Sequence, residues 1–438
     1  MMRTQTLFQR IRIGLFSALL ILGCIGGFLL FLRPTTSDTE GRELTKFPAF
    51  TVEGFLSGAY TSQISLWYAD TFPFRDRLLE WNSCLKESYG IGDHDFHGYG
   101  GSVDSLDFAD SLDWNNPTAN PFPSEPDTGK AELPPAAEAV DGYYIKGDTC
   151  WQLYYYKKDL VDRYCRAVVK TAQELHGIAT VYDMVVPTSC CYGLSSEELA
   201  ALGASDGLAV MDHIYTAIDI YCPQAGVTPP VVTLPVHDML GEHYSEYIYF
   251  RTDHHWTGLG AWYASRYFLD AVGRAYPPLG AYEVFTYEHF LGSMYRHTQN
   301  EGLKNSPDTL VAYLSPTVSE LLTESKGIYR TQPLIHKEIM SSNKYLCFCA
   351  GDHAYYEVHN ETISDGSSIL IIKESYGNAF IPMLVDSYEH VYAIDYRFWQ
   401  GDLVAFATER GIDTVLFLNN LMATADSYTV TSLERLVG

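Results

Sequence analysis

The sequence is short of positive charge. Its 438 residues carry 29 Lys and Arg against 54 Asp and Glu, which gives a net charge of −25. Phosphate contacts to nucleic acid need clustered Lys and Arg, and peripheral docking on an anionic membrane leaflet needs them too. The composition therefore argues against both classes of protein, and we expect no nucleic acid among the partners. Apolar residues make up 47 % of the chain, enough to bury a sizeable core.

The usual metal-binding spacings are also missing. No Cys-x-x-Cys pair occurs among the nine cysteines, and there is no His-Glu-x-x-His run. We therefore expect no metal and no other cofactor. An Asp-His-His run at residues 253–255 could still supply two or three metal ligands, with the segment 93–97 as a further source. Disulfides are possible in an oxidising compartment, but their pairing cannot be read from the sequence.

One long apolar run is present, near the amino terminus. Residues 13–32 contain no charge, and a helix of that length spans about 30 Å, the thickness of a bilayer core. Three arginines precede the run, which places the amino terminus on the cytoplasmic side. We predict that residues 1–33 form a cytoplasmic tip and an uncleaved transmembrane signal anchor, and that the remainder is extracytoplasmic. A cleaved signal peptide and lipidation at Cys24 are the alternatives.

The rest of the chain divides by composition. Residues 34–100 begin polar and become helical in pattern, which predicts a membrane-proximal segment that packs on the catalytic domain. Residues 101–142 hold nine acidic residues, one lysine and six prolines, which is typical of an exposed acidic insertion. Residues 143–438 form the predicted α/β domain.

In that domain, helical patterns alternate with short apolar strands. Helices are predicted at residues 160–175, 208–220, 258–272 and 379–385. Strands are predicted at residues 179–186, 231–234, 247–250, 345–349, 368–372, 391–394 and 414–418. Continuous apolar strands separated by helices indicate a parallel sheet covered on both faces. Ligands of such sheets bind at the carboxyl ends of the strands, where functional residues are expected.

Two of these strand ends carry residues suited to catalysis. Ser375 follows the predicted strand 368–372 and precedes a predicted helix. A serine on such a turn is exposed, and the free N–H groups of the helix terminus face any oxyanion beside it. Serine needs a base and an orienting group to act as a nucleophile, and His255 and Asp253 can supply both from one loop. A simple helix-capping role for Ser375 is the alternative.

These residues belong to a larger set of motifs that resembles the DHHW-motif family of bacterial exported proteins. The blocks that carry the resemblance follow in the family's order: Asp253-His254-His255-Trp256, Gly351-Asp352-His353, Lys373-Glu374-Ser375-Tyr376 and Ile394-Asp395-Tyr396-Arg397. Earlier blocks at residues 40–48, 68–76 and 185–188 match as well. The resemblance therefore covers nearly the whole chain except the 101–142 insertion. The family is in turn similar to the SGNH-hydrolase-like domains of alginate O-acetyltransferases.

The resemblance implies both a fold and a site. The implied fold is an SGNH-hydrolase-like (flavodoxin-like) three-layer α/β/α domain with a parallel sheet, in addition to the transmembrane helix. The implied site is a triad in which Ser375 is the nucleophile, His255 the base and Asp253 the group that orients the base. Further candidates, for contact with the substrate, are Arg397, Tyr376, His254, Trp256, Gly351, Asp352 and His353.

The sequence thus predicts a membrane-anchored, extracytoplasmic O-acetyltransferase or acetylesterase that acts on a cell-surface polysaccharide. Whether a sugar hydroxyl or water accepts the acetyl group is left open. Because acetyl-CoA is cytosolic, a transferase needs a supply of acetyl groups, and the resemblance implies a membrane-bound O-acyltransferase as the partner that provides it. The alternative is a non-catalytic glycan-binding or assembly factor that retains the fold.

Overall fold

The computed structural model describes residues 33–37, 42–44, 46–50, 60, 64, 67–68, 71–73, 112–115, 137–140 and 142–437. The predicted transmembrane run, the segment 93–97 and most of the acidic insertion lie outside these residues. Within the described part of the chain, no helix is both long and apolar enough to cross a bilayer. The chain divides into two compact units, Met1–His94 and Asp95–Gly438.

The first unit is described only in short pieces. Strands β1 (Thr36–Ser37) and β2 (Arg42–Glu43) pair antiparallel. Residues 60, 64, 67 and 68 are helical. The side chain of Arg33 lies over the ring of Trp67, with 3.9 Å between the guanidinium carbon and the ring centroid.

The second unit contains the remaining described strands and helices. Its strands are β3 (Ala137–Val140), β4 (Tyr143–Lys146), β5 (Thr149–Gln152), β6 (Thr180–Val186), β7 (Val232–Thr233), β8 (Glu283–Phe290), β9 (Asp308–Leu314), β10 (Glu320–Ser325), β11 (Ile328–Pro333), β12 (Tyr355–His359), β13 (Ser368–Lys373), β14 (His390–Asp395) and β15 (Thr414–Asn420). Its α-helices are α1 (Lys158–Glu174), α2 (Cys190–Gly193), α3 (Ser196–Ala201), α4 (Gly207–Gln224), α5 (His237–Glu242), α6 (Gly258–Ala271), α7 (Ser293–Thr298), α8 (Glu301–Lys304), α9 (Gly377–Leu384), α10 (Leu403–Glu409) and α11 (Ser427–Glu434).

Eight strands form a central sheet in the order β11-β10-β12-β14-β13-β15-β6-β7. The five strands from β14 to β7 run parallel, whereas β12, β10 and β11 pair antiparallel at one edge. The prediction of a parallel sheet is therefore correct for five strands and wrong for this edge. Strands β10 and β11 are joined by Lys326 and Gly327 alone, both with positive φ. Such a two-residue turn matches the twist of an antiparallel hairpin and cannot connect parallel strands.

Both faces of the sheet are buried at its centre. In β13, Leu370 and Ile372 belong to one apolar cluster, and Ile369 and Ile371 belong to the other. Helices α1, α4, α10 and α11 contribute to the first cluster, and α6 and α9 contribute to the second. Because successive side chains of a strand point to opposite faces, a continuous apolar run such as β13 must lie between two layers. The fold is mixed α/β with a large central sheet.

The predicted helices and the four longest parallel strands are confirmed within a few residues, but two predicted strands are wrong. The segment 345–349 forms a short 3₁₀ helix, Lys344–Cys347, and then turns through Cys349 and Ala350, both with positive φ. The segment 247–250 begins at Tyr247 in a left-handed conformation and makes a single bridge, between Tyr249 and Trp256. Both segments are apolar because they are buried around the loops described below, not because they extend the sheet.

The parallel strands bring distant residues to one edge. Thr188 follows β6, Ser375 follows β13, Arg397 follows β14, and Asn420 ends β15. Because these strands are parallel, their carboxyl ends meet at the same edge of the sheet. All four residues line one cavity of about 480 Å³.

Candidate active site

Ser375 lies on a tight turn between β13 and α9, and its side chain is partly exposed. The turn is closed by hydrogen bonds from Gly377 N to Glu374 O and from Asn378 N to Ser375 O. A Cβ atom at Gly377 would lie 2.6 Å from the Lys373 side chain, so the close approach of helix and strand requires glycine there. The predicted strand–turn–helix setting of Ser375 is therefore present.

His255 reaches this serine from a loop that precedes α6. His255 Nε2 lies 2.8 Å from Ser375 Oγ, and His255 Nδ1 lies 2.6 Å from Asp253 Oδ1. The imidazole is stacked on the ring of Tyr345, with centroids 3.8 Å apart and an interplanar angle of 10°. Both distances suit a proton relay from the hydroxyl to the imidazole, with the carboxylate holding the ring orientation.

Asp253 is buried and fully hydrogen-bonded. Its Oδ1 accepts from His255 N at 3.0 Å, and its Oδ2 accepts from Ser293 N at 2.7 Å. Burial acts to raise the pKa of Asp253, but the facing His255 ring and these hydrogen bonds outweigh it and hold the pKa well below its usual range. The carboxylate is therefore ionised wherever the protein is folded at neutral pH, as an orienting group must be.

Two aromatic side chains join the loop that holds His255 to the turn that holds Ser375. Trp256 Nε1 donates to Tyr376 O at 3.1 Å, and the hydroxyl of Tyr376 donates to the carbonyl oxygen of His254. Trp256 is fully buried, and its ring stacks on Phe380. The contact with substrate that the motif suggested for Trp256 does not fit this placement, because the side chain faces the core.

Asp308 fixes the backbone that leads into Asp253, and sequence reasoning missed it. Its Oδ2 accepts from Thr252 N at 2.8 Å and from Thr252 Oγ1 at 2.6 Å, and its Oδ1 accepts from Arg251 N at 3.1 Å. Asp308 is completely buried at the start of β9. The alternation of Leu310, Ala312 and Leu314 was the available signal for that strand, but no local pattern links its first residue to the loop at Asp253.

Glu374 makes a set of contacts around the serine that the sequence did not suggest. Its Oε2 accepts from Ser375 Oγ and from Tyr376 N, each at 3.1 Å, and its Oε1 accepts from Asn420 N at 3.1 Å. The carboxylate thus ties the end of β13 to the end of β15. It also gives the serine hydroxyl a second acceptor beside His255.

The other predicted substrate contacts divide between two cavities. His254, Tyr376 and Arg397 line the cavity that contains Ser375. Asp352 and His353 line a neighbouring cavity of about 690 Å³, and Arg397 lines both. Gly351 lines neither of them; its φ of 86° marks the turn that leads into Asp352. Roles for these residues in binding remain predictions.

A charge network that is buried at Asp395 holds Arg397, which lines both cavities. Its guanidinium makes two hydrogen bonds to Asp395, at 2.8 and 2.6 Å, and a third to Asp352 at 2.9 Å. Burial acts to raise the pKa of Asp352, but the charges of Lys373 and Arg397 lower it to about 2. Lys373 is completely buried and donates to Tyr356 and Asn378. Because Asp395 is buried and binds the guanidinium through two hydrogen bonds, the position of the Arg397 side chain is set before any ligand binds.

Asp253, His254 and His255 each offer a ligand atom within 4.8 Å of the others. Asp253 already accepts N–H groups at both oxygens, and His255 bonds Asp253 through Nδ1 and faces Ser375 through Nε2. A cation there would have to displace these hydrogen bonds, so the donor set fits proton transfer better than metal ligation. The seven cysteines in the described part are free thiols, and Cys24 and Cys84 lie outside it.

The chain matches the family model described as "DHHW protein" over residues 40–116 and 110–394. Among solved structures, it is similar to a DHHW family protein from Eubacterium siraeum, with 26 % identity and a TM-score of 0.59; the match covers 69 % of this chain and 98 % of that one. No curated protein matches the sequence.

Two further structures are more distant. Bacillus cereus PatB1, solved with a sulfonyl adduct, has 16 % identity and a TM-score of 0.50 over 66 % of this chain and 96 % of that one, which supports the fold alone. The O-acetyltransferase domain of Pseudomonas putida AlgJ has 15 % identity and a TM-score of 0.38 over 67 % of this chain and 96 % of that one. The AlgJ likeness is too distant to carry an argument about chemistry.

Gly292 is predicted to be essential for the position of Asp253. A Cβ atom at Gly292 would overlap Asp253 Cβ and lie 2.5 Å from Oδ2. We expect Gly292→Ala to lower the free energy of unfolding by about 1–3 kcal/mol, the usual cost of overpacking, as measured by urea denaturation. Gly280→Ala is the matched control, because nothing lies within 4 Å of its added Cβ. Equal effects of the two variants would contradict this account of the loop.

His254 is predicted to make stability fall in acid. Burial and the charge of His255 lower its pKa to about 3, so between pH 6.5 and pH 3 the unfolded chain binds a proton that the folded chain does not. Stability is therefore fully present above the ordinary histidine pKa and is lost as the pH falls towards 3. His254→Gln should reduce the slope of unfolding free energy against pH in this window, by at most about 1.4 kcal/mol per pH unit. The control is His176→Gln on an exposed turn; a slope that His254→Gln leaves unaltered would refute the prediction.

Proposed function

Because the chain belongs to the DHHW family, we propose that it is a serine-dependent O-acetyltransferase or acetylesterase of the SGNH-hydrolase type. The observation that carries the proposal is the unbroken line of hydrogen bonds from Asp253 through His255 to Ser375. A helix-capping serine would need no base beside it. The resemblance of the motifs to alginate O-acetyltransferases supports acetyl as the group that is transferred or released, and a cell-surface polysaccharide as the substrate.

In the proposed first step, Ser375 Oγ attacks the carbonyl carbon of the acetyl donor and its proton passes to His255 Nε2. The ionised Asp253 stabilises the imidazolium that forms. The bond between the carbonyl carbon and the leaving oxygen then breaks, and His255 returns its proton to that oxygen. The product is an acetyl ester on Ser375 and a free alcohol.

The negative charge of the tetrahedral intermediate needs donors near Ser375. In the described part of the chain, neither Ser375 N nor Asn420 Nδ2 makes a hydrogen bond, and both residues line the same cavity. The N–H of Tyr376 is already held by Glu374. We therefore assign the oxyanion donors to Ser375 N–H and the Asn420 side-chain amide. Neutral N–H groups fixed in advance stabilise developing charge because they need no reorganisation.

In the second step, His255 takes a proton from the acceptor, whose oxygen attacks the acetyl carbonyl and releases Ser375. A sugar hydroxyl as the acceptor makes the enzyme a transferase, and water makes it an esterase. The proposed setting is the outer face of the membrane, with residues 1–33 as the anchor and a membrane-bound O-acyltransferase as the source of acetyl groups. The uncharged run at residues 13–32 supports the anchor. The resemblance to alginate O-acetyltransferases, together with the cytosolic location of acetyl-CoA, supports the acyltransferase partner.

Loss of the nucleophile or of the base should abolish turnover. We expect Ser375→Ala and His255→Ala to lower the turnover of p-nitrophenyl acetate by roughly 1,000-fold, measured on the full-length protein in detergent. Phenylmethanesulfonyl fluoride should add its sulfonyl group to Ser375 of the wild type, as detected by peptide mass spectrometry. Ser319→Ala, at an exposed serine, is the control and should behave as wild type.

Equal turnover in Ser375→Ala, His255→Ala and wild type, with all three folded, would reject catalysis. That result would favour a non-catalytic glycan-binding or assembly factor instead. Labelling of a serine other than Ser375 would count against the assigned nucleophile, even if the wild type hydrolyses the ester.

Asn420 offers a test of the oxyanion site. Its Oδ1 caps the turn that follows β15 by accepting from Met422 N at 2.8 Å, and serine can replace that acceptor but not the amide donors. We expect Asn420→Ser to lower kcat for p-nitrophenyl acetate by roughly 100- to 1,000-fold with little change in unfolding free energy. Asn300→Ser, at another helix cap, is the matched control and should keep wild-type kcat. A wild-type kcat in Asn420→Ser would exclude the amide as a donor.

A further inference from the structure

The second cavity, which borders the serine cavity at Arg397, carries aromatic surface that no step above uses. Phe398 lines it and is 51 % exposed, and the half-buried Trp399 lines it next to Phe398. A Cβ atom at Gly401 would collide with the Trp399 indole, so a glycine is needed where the chain passes over that ring. Exposed aromatic surface inside a concave site is costly to leave in water unless a ligand covers it.

The polar groups of this cavity are balanced in charge. Glu324 and Asp352 supply two carboxylates, and Lys326 and Arg397 supply two cations. Asp352 and Arg397 are also paired with each other at 2.9 Å. An anionic ligand such as a phosphate would call for an excess of cations, which this cavity lacks. Aromatic faces beside neutral or paired donors and acceptors instead suit an uncharged ring that carries hydroxyl groups.

Arg397 lines both cavities. Its Nε and Nη2 are held by Asp395 and Asp352, whereas its Nη1 makes no hydrogen bond within the described part of the chain. This Nη1 group is left to donate to a ligand beside Arg397. A polymer with a reacting unit beside Ser375 would place a neighbouring unit beside Phe398.

We propose that this second cavity is a sugar-binding subsite, which holds an uncharged pyranose unit of the same polysaccharide whose acetyl ester is made or cleaved at Ser375. The proposal rests on the proposed function. Phe398 and Trp399 stack on the apolar face of the ring, and Arg397 bridges it to the reacting unit. Binding energy gained at this subsite positions the polymer relative to Ser375. It therefore favours the reaction of the polysaccharide and not that of a small ester.

The test compares chromosomal variants of the organism that carries this chain. Ester-linked acetate is released from the cell-surface polysaccharide by mild alkali and measured in wild type, Ser375→Ala, Phe398→Ala and Tyr329→Ala. Tyr329 is the matched control, an exposed aromatic residue on the β10–β11 hairpin that does not line the cavity. The purified full-length variants are then assayed with p-nitrophenyl acetate, and their thermal unfolding midpoints are recorded.

We expect Phe398→Ala to shift the acetate content in the same direction as Ser375→Ala and to lose more activity on the polysaccharide than on p-nitrophenyl acetate, by about tenfold. Phe398→Tyr should restore the wild-type content, because tyrosine keeps the stacking face. Tyr329→Ala should match wild type. Gln400→Ala, at an exposed residue of the same cavity, provides a second variant in case Phe398→Ala unfolds, and should shift the content in the same direction.

The outcomes separate the two proposals. If Ser375→Ala changes the acetate content and the folded Phe398→Ala and Gln400→Ala do not, the subsite is wrong and the proposed function stands. If Phe398→Ala loses polysaccharide and small-ester activity equally, the residue supports the serine site itself and the subsite is again wrong. If Ser375→Ala leaves the acetate content unaltered, the proposed function fails and the subsite falls with it.

Discussion

The hydrogen bond between His255 Nε2 and Ser375 Oγ is the contact on which the proposed chemistry and the order of the surrounding loops depend. It joins two loops that lie 120 residues apart in sequence. A bond of 2.8 Å tolerates little displacement of either loop. The surrounding structure meets this demand with several independent contacts. Asp308 holds the backbone before Asp253, Trp256 and Tyr376 join the loops, and the ring of Tyr345 supports the imidazole.

The parallel part of the sheet sets the position of the serine. Strands β13 and β15 are neighbours in register, so Glu374 and Asn420 come together at their ends. The Glu374 carboxylate accepts a hydrogen bond from the N–H of Tyr376. Without this acceptor, that N–H would be free to face an oxyanion. In the proposed mechanism, stabilisation of negative charge is therefore assigned to the N–H of Ser375 and the side-chain amide of Asn420. Glu374, at the end of β13, thus orders the turn at Ser375 and also removes the N–H of Tyr376 from the possible oxyanion donors.

Much of the fold and the core of the site could be predicted from the sequence, for identifiable reasons. Helix α1 has a strong 3.6-residue pattern and β13 is apolar throughout, so both were predicted within a few residues of their bounds. Asp253, His255 and Ser375 stood out because their residue types suit proton transfer and they follow predicted strands. The antiparallel edge was missed because β11 is almost wholly exposed and β10 places Leu321 and Leu322 among polar residues, so neither strand has a continuous apolar run. Residues 345–349 were misread because burial under a loop and burial in a sheet select the same apolar side chains.

The amino-acid sequence alone was enough to indicate which residues suit catalysis and, through the order of its motifs, the family to which the chain belongs. It also determined the alternation of helices and apolar strands, because periodicity and composition are local properties. Which of those residues meet depends instead on the three-dimensional fold. Contacts such as Asp308 with Thr252, Glu374 with Asn420, and Arg397 between two cavities join segments far apart in the chain. Their partners are set by strand order and register, which no local pattern encodes.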